Sequence, residues 1–403
     1  MSQFTQDLIN YARFRDLPGA VYTRSGVAYQ QNASGVWVPF DENVPPISDG
    51  VGMGVWEART NSIRNPTFLG GVAGSPGTFP TNFSNVGSDP AAVGLTRTFA
   101  FGVENGLPYM EVSISGTPTS GTATGIYFET TSGIPATTGQ TWTFSLFARL
   151  VGTATGVNNF QQSIVGRTSG GAASESFNAN LALTATVTRL PLQATMANAT
   201  TAFAQPAISI LFTAGVPVNV TYRLYALQMK LGADIGDPPI LQTTNAAATR
   251  GAPSAYLNAP GLLVPPFTVQ LWFSMSSIDG TLRRFATLSA DADENNQIVI
   301  ERTGGNQFAV QSVVGGVGQT RACLLGGYTG AQTVKSAVRV RAASYQAAVA
   351  GVLRGEVAAS MPAMTRITLG SRPSFASQIN GDITRFQIIN RDLSDAELQA
   401  LTT

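Results

Sequence analysis

At 403 residues the chain exceeds the roughly 250–300 at which a single hydrophobic core stops growing, so two domains are expected. A formal net charge of +1 gives no electrostatic footprint for nucleic acid or anionic lipid, and neither is expected as a partner. Histidine is absent, which excludes Ser-His-Asp and Cys-His catalysis and every His-ligated zinc or iron site, and a single cysteine, Cys323, forbids an intrachain disulfide.

Hydrophobic residues make up 43% and charged residues only 12%, while 42 Gly and 22 Pro punctuate the chain, a pattern of short strands and many turns. The expected class is all-β. The chain opens without a basic stretch leading into an apolar run, and no segment approaches the roughly 18 uninterrupted apolar residues of a membrane span. Neither export nor membrane insertion is therefore expected, and synthesis is placed in a cytoplasm.

In chain order, residues 5–14 have the pattern of a short helix. Thr5 can cap its N-terminus, Asp7 sits in the first turn, and Leu8, Ile9, Tyr11 and Ala12 form an apolar stripe. Ten residues cannot hold a helix alone, so it must dock on this chain or on a neighbour. Residues 20–30 read as a hairpin turning at Ser25-Gly26, and Ala33 to Val38 repeats the pattern. Pro45-Pro46 followed by Gly50, Gly52 and Gly54 reads as an extended linker, which sets residues 1–56 apart as an attachment segment of helix, hairpins and linker.

Residues 57–243 read as a first sandwich. Trp142, Phe144 and Leu146 alternate onto one face of a strand, and Tyr222 to Met229 alternates more loosely. Gly236-Asp-Pro-Pro239 and the Asn-Ala-Ala-Ala-Thr run mark a boundary, and residues 244–403 read as a second sandwich. There Phe267, Val269, Leu271 and Phe273 share one face and Trp272 the other, while Arg339 and Arg341 alternate outward from Val338 and Val340. Ser394 and Glu397 have capping-box spacing, so a short final helix starts at Ser394.

Three stretches resemble known families. Thr23-Arg24-Ser25, then Asn43-Val-Pro45, then Glu57-Ala-Arg59-Thr60-Asn61 stand in the order of a segment that recurs in phage structural proteins, a resemblance close over residues 19–68. The strand order of residues 57–243 is similar to carbohydrate-binding jelly rolls. Gly381-x-Ile383-x-Arg385-Phe386, followed by Asn390-Arg391-x-Leu393-Ser394-x-x-Glu397-Leu398, resembles the end of concanavalin A-like, laminin-G-type lectin folds. The fold implied is a jelly roll followed by a concanavalin A-like sandwich.

Several groups are candidates for chemistry, each with a plainer reading beside it. Asp291, Asp293 and Asn295 place oxygens at alternate positions, as a calcium loop does, but Asn296 stands where such a loop needs Gly and Arg302 where it needs Glu; a polar connection is the alternative. Asp279, Asp291, Asp293, Glu294 and Glu301 supply carboxylates for glycoside hydrolysis, yet no spacing shows that two converge, and no enzyme is expected. No cofactor is expected either. Trp272, Tyr328, Tyr345 and Phe375 are candidates to stack on sugar rings, against the alternative that they fill a core or a subunit interface. Cys323 reads as a small buried hydrophobe, with an intermolecular bridge or reactive thiol as its rival. Glu57, Arg59 and Asn61 read as a structural clamp joining the attachment segment to the first sandwich, with ligand binding as the alternative.

Together these imply a phage virion protein, a head or tail spike or fibre, assembled in the host bacterial cytoplasm. Its expected partners are other virion proteins through the N-terminal segment, host surface polysaccharide, and further copies of itself in a homotrimer. A purely structural decoration or adapter protein is the alternative, and a polysaccharide depolymerase the third reading.

Overall fold

The computed structural model describes residues 5–7, 19–48, 50–233, 236–241, 244–275, 281–290, 292–324 and 333–403, and they divide into two compact units. Nearly all of their regular structure is antiparallel strand, with a 3-10 turn at Ala91–Val93 and an α-helix at Asp395–Ala400. The chain is all-β, built as two β-sandwiches. Among the described residues no helix is long and apolar enough to cross a membrane.

Residues Arg59–Ile235 with Pro239–Thr249 make the jelly roll. One five-stranded sheet runs Thr188–Thr195, Thr141–Leu150, Val218–Leu231, Leu107–Gly116, Leu95–Glu104; the other runs Ala173–Leu181, Val157–Arg167, Phe203–Phe212, Ala123–Tyr127, Ser84–Gly87. The alternation of Trp142, Phe144 and Leu146 places all three in the core between the sheets, with Met110, Val112, Ile164, Ile208 and Leu224. Close packing of two facing pleated surfaces is what a strict period of two produces.

Asn61 is a structural clamp within this unit. It is fully buried, donates from Nδ2 to the carbonyls of Leu227 (2.8 Å) and Ile240 (3.0 Å), and accepts from the amides of Met229 (3.0 Å) and Ile63 (3.1 Å). Leu227 follows Ala226, whose φ of 45° interrupts the strand ladder. The asparagine therefore satisfies backbone groups that a regular ladder would have paired. Arg59, half-buried, opens the strand that ends at Asn61.

The second unit joins residues Met1–Ala58, Gly236–Pro238 and Arg250–Thr403. Its nine-stranded sheet is centred on Phe267–Met275, flanked by Thr333–Arg341 and by Gly381–Ile389. Its eight-stranded sheet runs Ala20–Thr23, Ser254–Asn258, Arg366–Leu369, Arg283–Ser289, Gln297–Arg302, Phe308–Val314, Val317–Gly318, with Ala322–Leu324 also on Phe308–Val314. The backbone of Cys323 lies in that last strand; its side chain is outside the description. Phe267, Val269, Leu271 and Phe273 fill the core between the sheets, as their alternation requires.

The first 58 residues depart from the sequence reading. Ala20–Thr23 does not pair with Ala28–Gln31 across Ser25-Gly26. It is instead the edge strand beside Ser254–Asn258, while Ala28–Gln31 forms a hairpin with Trp37–Phe40. The Gly50-Val-Gly-Met-Gly54 stretch is not an open linker, because Gly52–Val55 pairs with Gly381–Ile383 and buries Met53 and Val55 in the core. Glycine is needed there for close approach: a Cβ on Gly52, whose φ is +112°, would collide with the Ile383 carbonyl, and one on Gly54 with the Trp56 ring. Of the expected helix at 5–14, Thr5–Asp7 is a strand paired with Gln387–Ile389, and residues 8–14 lie outside the described residues.

One half-buried carboxyl is expected to make the stability of this unit depend on pH. Asp382, beside Gly54, accepts from Gln30 Nε2 (2.9 Å), which also donates to the Gly52 carbonyl (3.2 Å). Burial pushes the carboxyl up to about 6, and the Gln30 hydrogen bond only partly offsets it. The unfolded chain ionises near the ordinary aspartate value of roughly 4, so the folded state holds the proton more tightly. Stability from this group is full below pH ~4 and falls as pH rises to about 6, by on the order of 2 kcal/mol after solvent screening. Asp382→Asn is expected to flatten that segment of a stability-versus-pH curve and to raise stability at neutral pH. An unchanged slope between those two pH values would refute the assignment.

Candidate functional site

The outer face of the eight-stranded sheet brings rings, guanidinium groups and carboxylates together. In Ser254–Asn258, Ala255 and Leu257 point into the core and Tyr256 points out; in Arg366–Leu369, Ile367 and Leu369 point in, and Arg366 and Thr368 point out. Tyr256 stands opposite Thr368. The Arg366 guanidinium carbon lies 3.6 Å from the centroid of the Tyr256 ring and 5.4 Å from that of Phe375, and the two rings are stacked 6.0 Å apart at 29°. The arginine therefore lies over the Tyr256 face and beside Phe375, so that one side of it is desolvated by a ring. The neighbouring Thr368 hydroxyl is buried and finds no hydrogen-bond partner among the described residues.

Phe375 reaches this layer on a loop that crosses the sheet face. Its φ of 60°, with 57° at Ser377 and 53° at Asn380, is left-handed backbone that costs a side-chain-bearing residue energy. Hydrogen bonds hold the loop in that form: Phe375 N to Arg372 O (2.8 Å), Thr287 Oγ1 to Ser371 O (3.0 Å), Arg284 N to Ser377 O (3.0 Å) and Ser374 N to Glu294 Oε1 (3.2 Å). The result is a fixed aromatic rim over a polar floor.

Charge on this face is arranged around Glu301. Its carboxylate, wholly buried, pairs with Arg284 (2.8 Å) and Arg321 (3.0 Å), while Arg372 lies 3.7 Å from Glu294. Burial lowers the pKa of Arg284; Arg372 and Arg321 lower it further, and Glu301 and Glu294 work against them. Four arginines, 284, 321, 366 and 372, thus share the face with two glutamates, and Arg321 and Arg372 remain more than a third exposed. Rings with fixed donors and acceptors at their edges are what a polyhydroxylated ligand requires.

The other expected site residues are elsewhere. Trp272 does alternate outward and is half-buried, with the chain's end packed beside it. Its indole N–H donates to the Leu401 carbonyl (3.4 Å), and Lys335 and Arg385 lie 4.7 and 5.0 Å from its ring. The element at that end is the helix Asp395–Ala400, capped by Ser394 and Glu397 in a reciprocal capping box, whose Leu398 packs on Ala337 and Ala348. Arg339, outward as its alternation demands, is buried beneath it and pairs with Asp395 at 2.8 Å. Tyr345 lies wholly within the core and its phenol donates to the Thr320 carbonyl, so it offers no ring to a ligand.

Tyr328 and Asp291 lie outside the described residues, as does Asp279. Asp293 accepts from the Asn295 amide (2.7 Å) and from Asn296 Nδ2 (2.7 Å), which hold its carboxyl below the ordinary aspartate value. With Asn295 it closes a turn; among the described residues no cluster of three acidic or cysteine side chains is placed to hold a metal ion. Glu57 pairs with Arg283 inside the second unit, so it is an internal tether of that sandwich.

Tyr256, Arg366 and Thr368 were not singled out from sequence. Their signal was only the alternation in Ser254-Ala-Tyr-Leu-Asn258 and Arg366-Ile-Thr-Leu369, which sets a face but not what gathers on it.

Comparison with known proteins agrees with the fold of the second unit. Residues 250–399 match the model of the concanavalin A-like lectin/glucanases superfamily. No curated protein matches the chain. Among solved structures, the CBM40 of Ruminococcus gnavus IT-sialidase is 14% identical, covering 34% of this chain and 83% of that one, with a TM-score of 0.29. Domain 4 of the arabinanase AbnA from Geobacillus stearothermophilus, solved with arabinotriose, is 15% identical over 43% of this chain and 82% of that one, with a TM-score of 0.32. The tandem CBM22 domains of Paenibacillus barcinonensis Xyn10C are 10% identical over 80% of this chain and 97% of that one, with a TM-score of 0.26. Likeness at that level carries nothing about what this chain binds. Its second sandwich is a concanavalin A-like, laminin-G-type domain.

Proposed function

We propose that this chain is a non-catalytic phage virion protein, a head or tail spike or fibre, that mediates adsorption by binding host surface polysaccharide through its C-terminal sandwich. The observation that carries the binding half is the Tyr256, Arg366 and Phe375 layer, carried in part by a strained, hydrogen-bonded loop, with arginine–glutamate pairs elsewhere on the same sheet face. The virion half rests on the resemblance of residues 19–68 to phage structural proteins. Binding without cleavage is favoured because Glu301, the most buried carboxylate on the face, is engaged by two arginines. Each site is weak, and a homotrimer repeated on a particle supplies avidity.

The test is binding of the full chain to polysaccharide extracted from the host cell surface. Phe375→Ala is expected to weaken binding about five- to tenfold, the loss of one stacked ring worth about 1–1.5 kcal/mol. Where the extracted polysaccharide is anionic, binding should also weaken as salt rises, since the two most exposed arginines act through a screened field. Undiminished binding in Phe375→Ala would refute the site. A structural decoration or adapter is the second reading, favoured by the way Trp272 and Tyr345 are engaged within the fold; complete lack of glycan binding by the wild-type chain would select it.

A further inference from the structure

A cavity of about 220 Å³ opens in the jelly roll, lined by Ser75, Pro76, Asp89, Pro90, Ala91 and Arg97 among others. Arg97 occupies an inward position of the strand Leu95–Glu104, between Leu95 and Phe99, which both lie in the core. It is only 9% exposed. Its guanidinium carbon lies 4.2 Å from the Phe79 ring centroid and 4.9 Å from that of Phe99, and Nη1 donates to Asn85 Oδ1. Its Nε is buried and has no hydrogen-bond partner among the described residues. Burial lowers the pKa of this arginine, and the field of Asp89 opposes that. Asp89 is itself fixed, accepting from the Ala91 amide (3.0 Å) and from Asn85 Nδ2 (3.1 Å).

An arginine at a core position is costly unless its donors are met. Leucine or methionine would fill the same space without a buried, unmatched N–H. Arg97 lines the cavity, so an acceptor held there can meet its guanidinium, and two phenyl rings hold that group in place before anything arrives.

We propose that this cavity binds one neutral pyranose ring, either a free sugar or the end of a glycan. Arg97 and Asp89 cancel in charge, which disfavours a net anion or cation. An arginine donor beside an aspartate acceptor with spare lone pairs suits adjacent sugar hydroxyls, which both donate and accept. Pro76 and Pro90 give apolar surface for the C–H face of the ring. The volume falls below the roughly 300–1,000 Å³ of sites for larger ligands, so it admits one ring and not an extended chain. This site is in the other sandwich from the proposed adsorption face and does not depend on it.

The full chain can be titrated with the methyl glycosides of glucose, galactose and mannose, with methyl glucuronoside and acetate as charged comparators, observing ligand saturation transfer and heat of binding. At least one neutral glycoside is expected to bind in the millimolar range. Arg97→Met should weaken it at least tenfold while keeping or raising the thermal midpoint, since an apolar side chain replaces a partly unmatched one. Ala91→Phe, at an exposed position on the cavity's lining, should block binding without touching Arg97 and serves if the first variant does not fold. Phe375→Ala should leave this binding unchanged. No saturable neutral glycoside, binding that survives both cavity variants, or tighter binding of the glucuronoside or acetate would each overturn the proposal.

Discussion

A chain that begins at residue 59 is expected to lose the cooperative unfolding of its C-terminal sandwich and keep that of the jelly roll. Residues 1–58 supply an edge strand to one sheet of that sandwich, through Ala20–Thr23, and further strands to the other, through Ile47–Ser48 and Gly52–Val55. They also supply Tyr22, Met53 and Val55 to the core. Each such side chain is worth about 1.5–3 kcal/mol of burial, so three account for roughly 5–9 kcal/mol. Removing Glu57 would in addition leave Arg283, whose side chain is 5% exposed, as a buried cation without that carboxylate, a further loss of about 3–5 kcal/mol. The sum matches the whole stability of an ordinary domain, about 5–15 kcal/mol. Calorimetry of the truncated chain should show one of two transitions gone. Two intact transitions would mean that the segment is an appendage and that its strands contribute little.

Breaking the Arg250–Asp237 pair should produce the largest effect of any single substitution in the second unit. Both side chains are wholly buried, with Nη2 3.1 Å from Oδ2. The guanidinium also donates to the Pro238 carbonyl (3.2 Å) and the Glu57 carbonyl (3.2 Å), and lies 5.5 Å from the Trp56 ring. Asp237→Ala strands the buried cation, and a loss of about 3–5 kcal/mol is expected, because attraction that offset the desolvation of both ions is gone while one ion's cost remains. For a unit of this size that is a fall of roughly 10 °C in the midpoint of its transition. Replacing both partners with Arg250→Met and Asp237→Leu should restore most of it, the signature of a desolvated pair rather than of lost packing. A single variant within about 1 kcal/mol of wild type would show that water reaches the pair and screens it.

The two-sandwich architecture was legible because strand alternation is a local property. Trp142, Phe144 and Leu146, and Phe267 to Phe273, each declare a buried face within a few residues, and Ser394 with Glu397 declares a cap within four. Asn61 was read as part of a clamp joining the first segment to the jelly roll, whereas its hydrogen bonds run within the jelly roll, to Leu227 and Ile240 far along the chain, which no local pattern shows. The first 58 residues were misread for the same reason. Gly52 and Gly54 look like linker glycines until the Ile383 carbonyl and the Trp56 ring are seen to need their missing side chains. A sequence records which face of a strand is apolar, not which distant strand will lie against it.

Tertiary structure alone decided what covers each outward face. Trp272 and Arg339 point outward as alternation demands, yet the chain's last residues pack against them, while Tyr256 and Arg366, equally outward, meet Phe375 carried in by a loop in left-handed backbone. Arg97 shows the same limit from inside: its alternation put it in the core, but the cavity beside it exists only because Pro76, Asp89 and Pro90 converge there. The sequence by itself determined the all-β class, the buried faces and the terminal cap, because neighbours in the chain set these through backbone periodicity. Which side chains meet across sheets and loops depends on pairing between segments tens to hundreds of residues apart, and packing, not local pattern, selects it.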